Sequence, residues 1–166
     1  MKSIKQVIQH IALWLGMLFI GNASLAQAAT EATVTITATF VAPSCELDVP
    51  ATVYLGSIKN GTQAHNPFSF QVNCATPVNT SVYAQAIEPL DAGSVDTVLM
   101  TGSGAKFWLR DELSNKNIAL NGDSNEVFCA GENNRTCTLI PNTLVTPENT
   151  RGETSTTIRL NIRYGA

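Results

Sequence analysis

The stretch Thr156-Thr157-Ile158-Arg159-Leu160-Asn161-Ile162-Arg163-Tyr164, close to the end of the chain, alternates almost without a break. Ile158, Leu160, Ile162 and Tyr164 share one parity, and Thr157, Arg159, Asn161 and Arg163 share the other. Strand side chains repeat every two residues, so this segment reads as a β-strand with one buried and one wet face. Standing last, it is expected to have one edge with nothing following in sequence to pair with it. A matching alternation lies near the start, where Ala32, Val34, Ile36, Ala38 and Phe40 interleave with Thr33, Thr35, Thr37 and Thr39. Two such strands at opposite ends of one small domain suggest a molecule that pairs with other chains.

Residues 1–28 read as a secretion signal. Lys2 and Lys5 give a positive start, Ile11 to Ile20 is an uncharged apolar run, and Ala26-Gln27-Ala28 fits a small-x-small cleavage site. The apolar run is too short to span a bilayer. The mature chain then begins at Ala29 and has about 138 residues, the size of one domain. It keeps eight Lys and Arg against 13 Asp and Glu, a formal charge of −5. That balance argues against nucleic acid and against an anionic membrane surface. Richness in Thr, Val, Asn and Ala, with no amphipathic helix, points to an all-β fold.

Cys45, Cys74, Cys129 and Cys137 all lie in the mature part, and an even number in an exported chain implies disulfides. Three pairings are possible, of which Cys45–Cys74 with Cys129–Cys137 is favoured. The second pair flanks the turn-rich Gly131-Glu132-Asn133-Asn134, so its members are expected to face each other across a hairpin. Loop closure entropy gives about 3.5 kcal/mol for the longer link and about 2.5 kcal/mol for the shorter. Zinc is a poor alternative, because there is no C-x-x-C spacing and the mature chain holds one histidine, His65.

Strands are expected at Thr33–Val41, Glu46–Val49, Thr52–Leu55, Phe68–Val72, Ser81–Ile87, Lys106–Arg110, Ile118–Leu120, Glu126–Cys129 and Cys137–Ile140, before the terminal one. Turn signals punctuate them at Lys59-Asn60-Gly61-Thr62, Thr101-Gly102-Ser103-Gly104 and Asn121-Gly122-Asp123. Pro141 to Ser155 reads as a polar connection. Roughly eight short strands with frequent turns fit an immunoglobulin-like sandwich without internal repeat or linker. Phe68, Phe70, Phe107, Trp108 and Phe128 are read as core or half-core residues.

No catalytic constellation emerges, and no cofactor is implied. His65 stands in a loop, Gln63-Ala64-His65-Asn66-Pro67, with no serine motif near it, and is expected at the surface. Asp111-Glu112 has no matching acid, and the glycines around Ser103 lack the lysine and helix of a phosphate loop. The chain is therefore read as a non-enzyme.

The ordered pieces resemble subunits of bacterial chaperone–usher fimbriae, the pilins. They are Phe40-Val41-Ala42-Pro43-Ser44-Cys45, Val53-Tyr54-Leu55-Gly56-Ser57-Ile58, Pro67-Phe68-Ser69-Phe70-Gln71-Val72-Asn73-Cys74, and Gly152 followed by Tyr164 in an alternating strand. The resemblance covers essentially the whole mature chain. It implies an incomplete immunoglobulin-like sandwich lacking its final strand and completed by donor-strand exchange. A periplasmic chaperone fills the gap first; at the outer-membrane usher, the N-terminal extension of a neighbouring fimbrial subunit replaces it. Carried onto this sequence, the acceptor groove and chaperone-binding residues are Ile158, Leu160, Ile162, Tyr164 and the carboxylate of Ala166. Donor residues come from Ala32, Val34, Ile36 and Ala38, in an extension at 29–40 that merges into the first strand of a pilin domain at 41–166. The implied role is a structural subunit on the cell surface that contributes to adhesion. The alternative is a single-domain tip adhesin for a host glycan or protein receptor, with Phe107, Trp108 and the Gly131–Arg135 loop as its surface. The chain departs from the family pattern in its short, glycine-free extension, in the one additional residue after Tyr164, and in the Cys129–Cys137 pair.

Overall fold

A computed structural model describes residues 45–165, all β and turn, with no helix among them. The expected secretion signal at 1–28, the expected donor extension with Ala32, Val34, Ile36 and Ala38, the first expected strand and Ala166 lie outside the described residues. Nine strands form: β1 (Cys45–Asp48), β2 (Gly61–Ala64), β3 (Phe68–Cys74), β4 (Thr80–Ala86), β5 (Val98–Leu99), β6 (Lys106–Asp111), β7 (Phe128–Gly131), β8 (Arg135–Val145) and β9 (Ile158–Tyr164). They make an immunoglobulin-like sandwich. One sheet runs β1-β3-β8-β6-β5, with β2 also on β8; the other runs β7-β4-β9. All pairs are antiparallel.

The core follows from period-two patterning. Phe70 and Val72 of β3, Phe107 and Leu109 of β6 and Leu139 of β8 face inward from the larger sheet. Val82 and Ala84 of β4 meet them from the smaller. Phe70 and Phe128 bridge the layers edge to face, with ring centroids 6.2 Å apart. Phe107, only 6% exposed, is core. It is therefore removed from the candidate adhesin surface.

Several sequence expectations are corrected. Thr52–Leu55 is not a strand. Leu55 and Ile58 are the positions that pack on the core, and a spacing of three cannot be met by alternation. Gly61, expected in a turn, does take a positive φ of 96° but opens β2 directly. Ile118–Leu120 forms no strand; flanking bridges at Asn117 to Arg110 and Asn121 to Gln85 carry it from one sheet to the other, with Ile118 and Leu120 buried.

The region read as a polar connection is strand as far as Val145. Pro141 sits inside β8 because its missing N–H falls at a break. β2 and β3 pair with successive halves of β8, and His65-Asn66-Pro67 separates them opposite Pro141. The Pro141 carbonyl accepts from His65 N at 2.9 Å, so the absent donor faces that gap. His65 itself is half-buried, not surface decoration, with Nε2 2.8 Å from Oγ1 of the buried Thr143.

Both favoured disulfides form. Cys45 and Cys74 are directly opposed on β1 and β3. Cys129 and Cys137 are joined as expected, but not across a hairpin. β7 pairs with β4, while β8 pairs with β2, β3 and β6, so this cystine staples one sheet to the other. Arg135 organises the crossover. Its Nε donates to the Cys129 carbonyl at 2.8 Å, and its terminal nitrogens reach the carbonyls of Gly131, Asn133 and Thr80. Partial burial draws its guanidinium below the ordinary value.

Replacing Cys129 and Cys137 together with serine is expected to lower stability by about 2.5 kcal/mol, the loop-entropy value, without changing the fold. Urea unfolding of the variant beside the parent measures it. An unchanged midpoint would show that Arg135 and the Phe70–Phe128 contact already hold the sheets together.

Candidate functional site

β9 lies against β4 in full register: Val82 opposite Ile162, Ala84 opposite Leu160, Ala86 opposite Ile158, and Thr80 opposite Tyr164. The same row thus faces the core on both strands. β4 contributes small, buried residues, whereas Ile158, Leu160 and Ile162 are only half-buried and Tyr164 is 45% exposed. A strand flanked on both sides would not leave an inward row so open.

The hydrogen-bond pattern explains the asymmetry. Ile87 N donates to Thr157 O at 2.9 Å, and Gly165 N donates to Asn79 O at 2.8 Å. Antiparallel bonding alternates, so Arg159, Asn161 and Arg163 direct their main chain toward β4. Ile158, Leu160, Ile162 and Tyr164 then turn their N–H and C=O groups to the other edge. Among the described residues, that edge has no main-chain partner. Four residues therefore combine inward apolar side chains with outward, unpaired backbone. Across the layer stands β1, whose Cys45 N donates to the Tyr164 hydroxyl at 3.0 Å.

β9 is fixed at both ends. At its entry, the Glu88 carboxylate accepts from Thr157 N at 2.7 Å and from the Thr156 hydroxyl at 2.8 Å. Burial alone would push this carboxyl up, but those hydrogen bonds outweigh it and hold it below its usual 4.5. The Thr101–Gly104 turn bridges to Ser155. Gly102 takes a positive φ of 80° there, and a Cβ would stand 2.5 Å from the Glu153 carbonyl oxygen. Farther along, Arg163 donates to the Ser124 carbonyl at 2.7 Å.

The sequence placed Ile158, Leu160, Ile162 and Tyr164 on one face, and the structure brings them together on one free-edged strand. It did not single out Glu88, whose only signal was Glu88-Pro89 at a strand end. Arg135 enters the sequence reading only as the end of the Gly131–Arg135 loop, with no signal for its role between the sheets. The Gly131–Arg135 loop directs the carbonyls of Gly131 and Asn133 at that guanidinium while Glu132, Asn133 and Asn134 stay exposed, and Trp108 is half-buried on the outer face of the larger sheet. Among the described residues, no cluster of His, Cys, Asp or Glu could hold a metal.

Solved structures share this fold. A chain from a chaperone–usher pilus superposes with a TM-score of 0.57 at 15% identity, over 82% of this chain and 97% of its own. The P pilus rod subunit PapA gives a TM-score of 0.57 at 13% identity, over 73% of this chain and 99% of its own. No protein-family model matches the chain, nor does the sequence of any curated protein. The architecture is that of chaperone–usher pilus subunits.

Because the folded pKa of Glu88 is depressed, its clamp contributes above the unfolded value and is lost as pH falls through the folded one. The urea midpoint is expected to drop as pH is lowered below about 4.5, and Glu88→Gln should flatten that slope. Parallel pH profiles of the two proteins would refute the clamp.

Proposed function

We propose that this chain is a structural subunit of a chaperone–usher fimbria, exported through the periplasm and polymerised on the cell surface by donor-strand exchange. The observation that carries the reading is β9. Ile158, Leu160 and Ile162 are half-buried and Tyr164 is exposed, and among the described residues the backbone of these four has no partner along one edge. An added strand would satisfy both needs at once, through main-chain hydrogen bonds at the edge and side chains between the layers. Burying three or four alternate apolar side chains is worth roughly 1.5–3 kcal/mol each before ordering costs. Left open, the edge invites aggregation, which explains the need for a periplasmic chaperone.

In this reading Ile158, Leu160, Ile162 and Tyr164 form the acceptor, and Ala166 offers its carboxylate to basic residues of the chaperone. Ala32, Val34, Ile36 and Ala38 supply the donor row to a neighbouring subunit. The outer-membrane usher is the site of exchange. The threonines between the donor residues suit the wet face of an added strand. The fibre contributes to adhesion; a tip adhesin role is the second reading, supported by Trp108 on an outer sheet face.

Two outcomes test the proposal. A peptide copying Glu31 to Phe40 is expected to raise the thermal midpoint of mature chain lacking that segment; an unchanged midpoint counts against the assignment. Leu160→Asp places a charge in an apolar slot and should abolish periplasmic recovery with the chaperone. Normal yield of that variant would contradict the acceptor role.

A further inference from the structure

The outer face of the larger sheet carries a second set of residues, remote in register from the β9 edge. On β6, Lys106, Trp108 and Arg110 point away from the core, because Phe107, Leu109 and Asp111 point into it. On β8 their direct partners are Leu144, Asn142 and Ile140. Beyond Asn142 lies Ala64 of β2, the smallest side chain in that row. The result is an indole flanked diagonally by two aliphatic residues, opposite a buried amide, Asn142, whose Nδ2 donates to the Ile140 carbonyl at 2.8 Å, with the exposed Ala64 beyond it. Trp108, Ile140 and Leu144 are all half-buried, so part of each is open to solvent.

The charges on this face are unequally matched. Lys106 is paired with Asp91 at 2.5 Å. Arg110 has no carboxylate within ion-pair distance among the described residues, and its Nε is buried without a hydrogen-bond partner there. A buried guanidinium nitrogen left unbonded is costly, and buried polar groups nearly always find acceptors. The protein carries a net negative charge, yet here a cation without an ion-pair partner among the described residues stands beside a half-buried aromatic ring.

We propose that this face binds a saccharide bearing a carboxylate. The indole supplies a flat apolar platform for a sugar ring. Arg110 supplies the planar fork that accepts a carboxylate in two parallel hydrogen bonds. Ala64, exposed and short, leaves room for a ring substituent. The inference does not rest on polymerisation, because the face belongs to the larger sheet and the proposed acceptor edge to the smaller.

The test is a titration of the full mature chain, in whatever assembly it is recovered, with an oligogalacturonate and with the same oligosaccharide after carboxyl reduction. The acidic form is expected to bind about ten- to a hundredfold more tightly, with affinity falling as salt is raised. Arg110→Gln should remove that difference, Arg110→Lys should restore part of it, and Trp108→Ala should weaken both ligands by about tenfold or more. Unchanged urea midpoints show that the variants remain folded. No binding of either saccharide, equal binding of the two, or an unaltered preference in Arg110→Gln overturns the inference. So does a copy-to-copy contact, seen by sedimentation as an assembly that Trp108→Ala dissolves while neither saccharide binds.

Discussion

One-sided pairing of β9 is the constraint on which the rest of the molecule depends. Seven consecutive residues are laddered to β4, and the opposite edge has no partner among the described residues. In an antiparallel ladder, the residues whose side chains face the core can be the same ones whose backbone faces the outer edge. Here they are, so among the described residues one side of β9 shows both a half-covered apolar row and a line of backbone groups without a main-chain partner. A second backbone would pair those groups and cover the row together, whereas a side-chain substitution could fill only the row.

Other described residues hold that strand in place at its two ends. Glu88 grips the residues just before β9, the Thr101–Gly104 turn bridges to Ser155, and Asn79 receives the amide of Gly165 at the far end. The intersheet cystine and the Arg135 hub work at the other side of β4, where β7 crosses toward β8. These features stiffen the smaller sheet, which has only three strands and a core row containing Ala84 and Ala86. A sheet so small gains little from its own burial, and covalent and hydrogen-bonded links offset that shortage. The arrangement suits a subunit that must keep an edge ready for a second backbone.

Much of the fold was legible from alternation alone. β3, β4, β6 and β9 appear within a residue or two of where period-two patterning puts them, because each has one face in the core and one in water. The misreadings share a cause. β8 was cut short at Pro141, since a proline inside a central strand looks disqualifying until its missing donor is seen to face the gap at His65. Thr52–Leu55 was read as a strand from composition, yet it lacks a neighbour to pair with. The Cys129–Cys137 pair looked like a hairpin staple because eight residues and a turn motif fit one; nothing local says that the chain changes sheets between them.

The sequence by itself determined which residues of β9 face inward, and it favoured the cysteine pairing that forms. These depend on local periodicity, redox setting and side-chain chemistry. Only the tertiary structure decided which edge of β9 is laddered to β4, that Phe107 is core while Trp108 is not, and that Glu88, His65 and Arg135 are joints between elements. Those depend on which strands become neighbours, and hydrogen bonds between residues far apart in the chain leave no mark on the pattern of either segment alone.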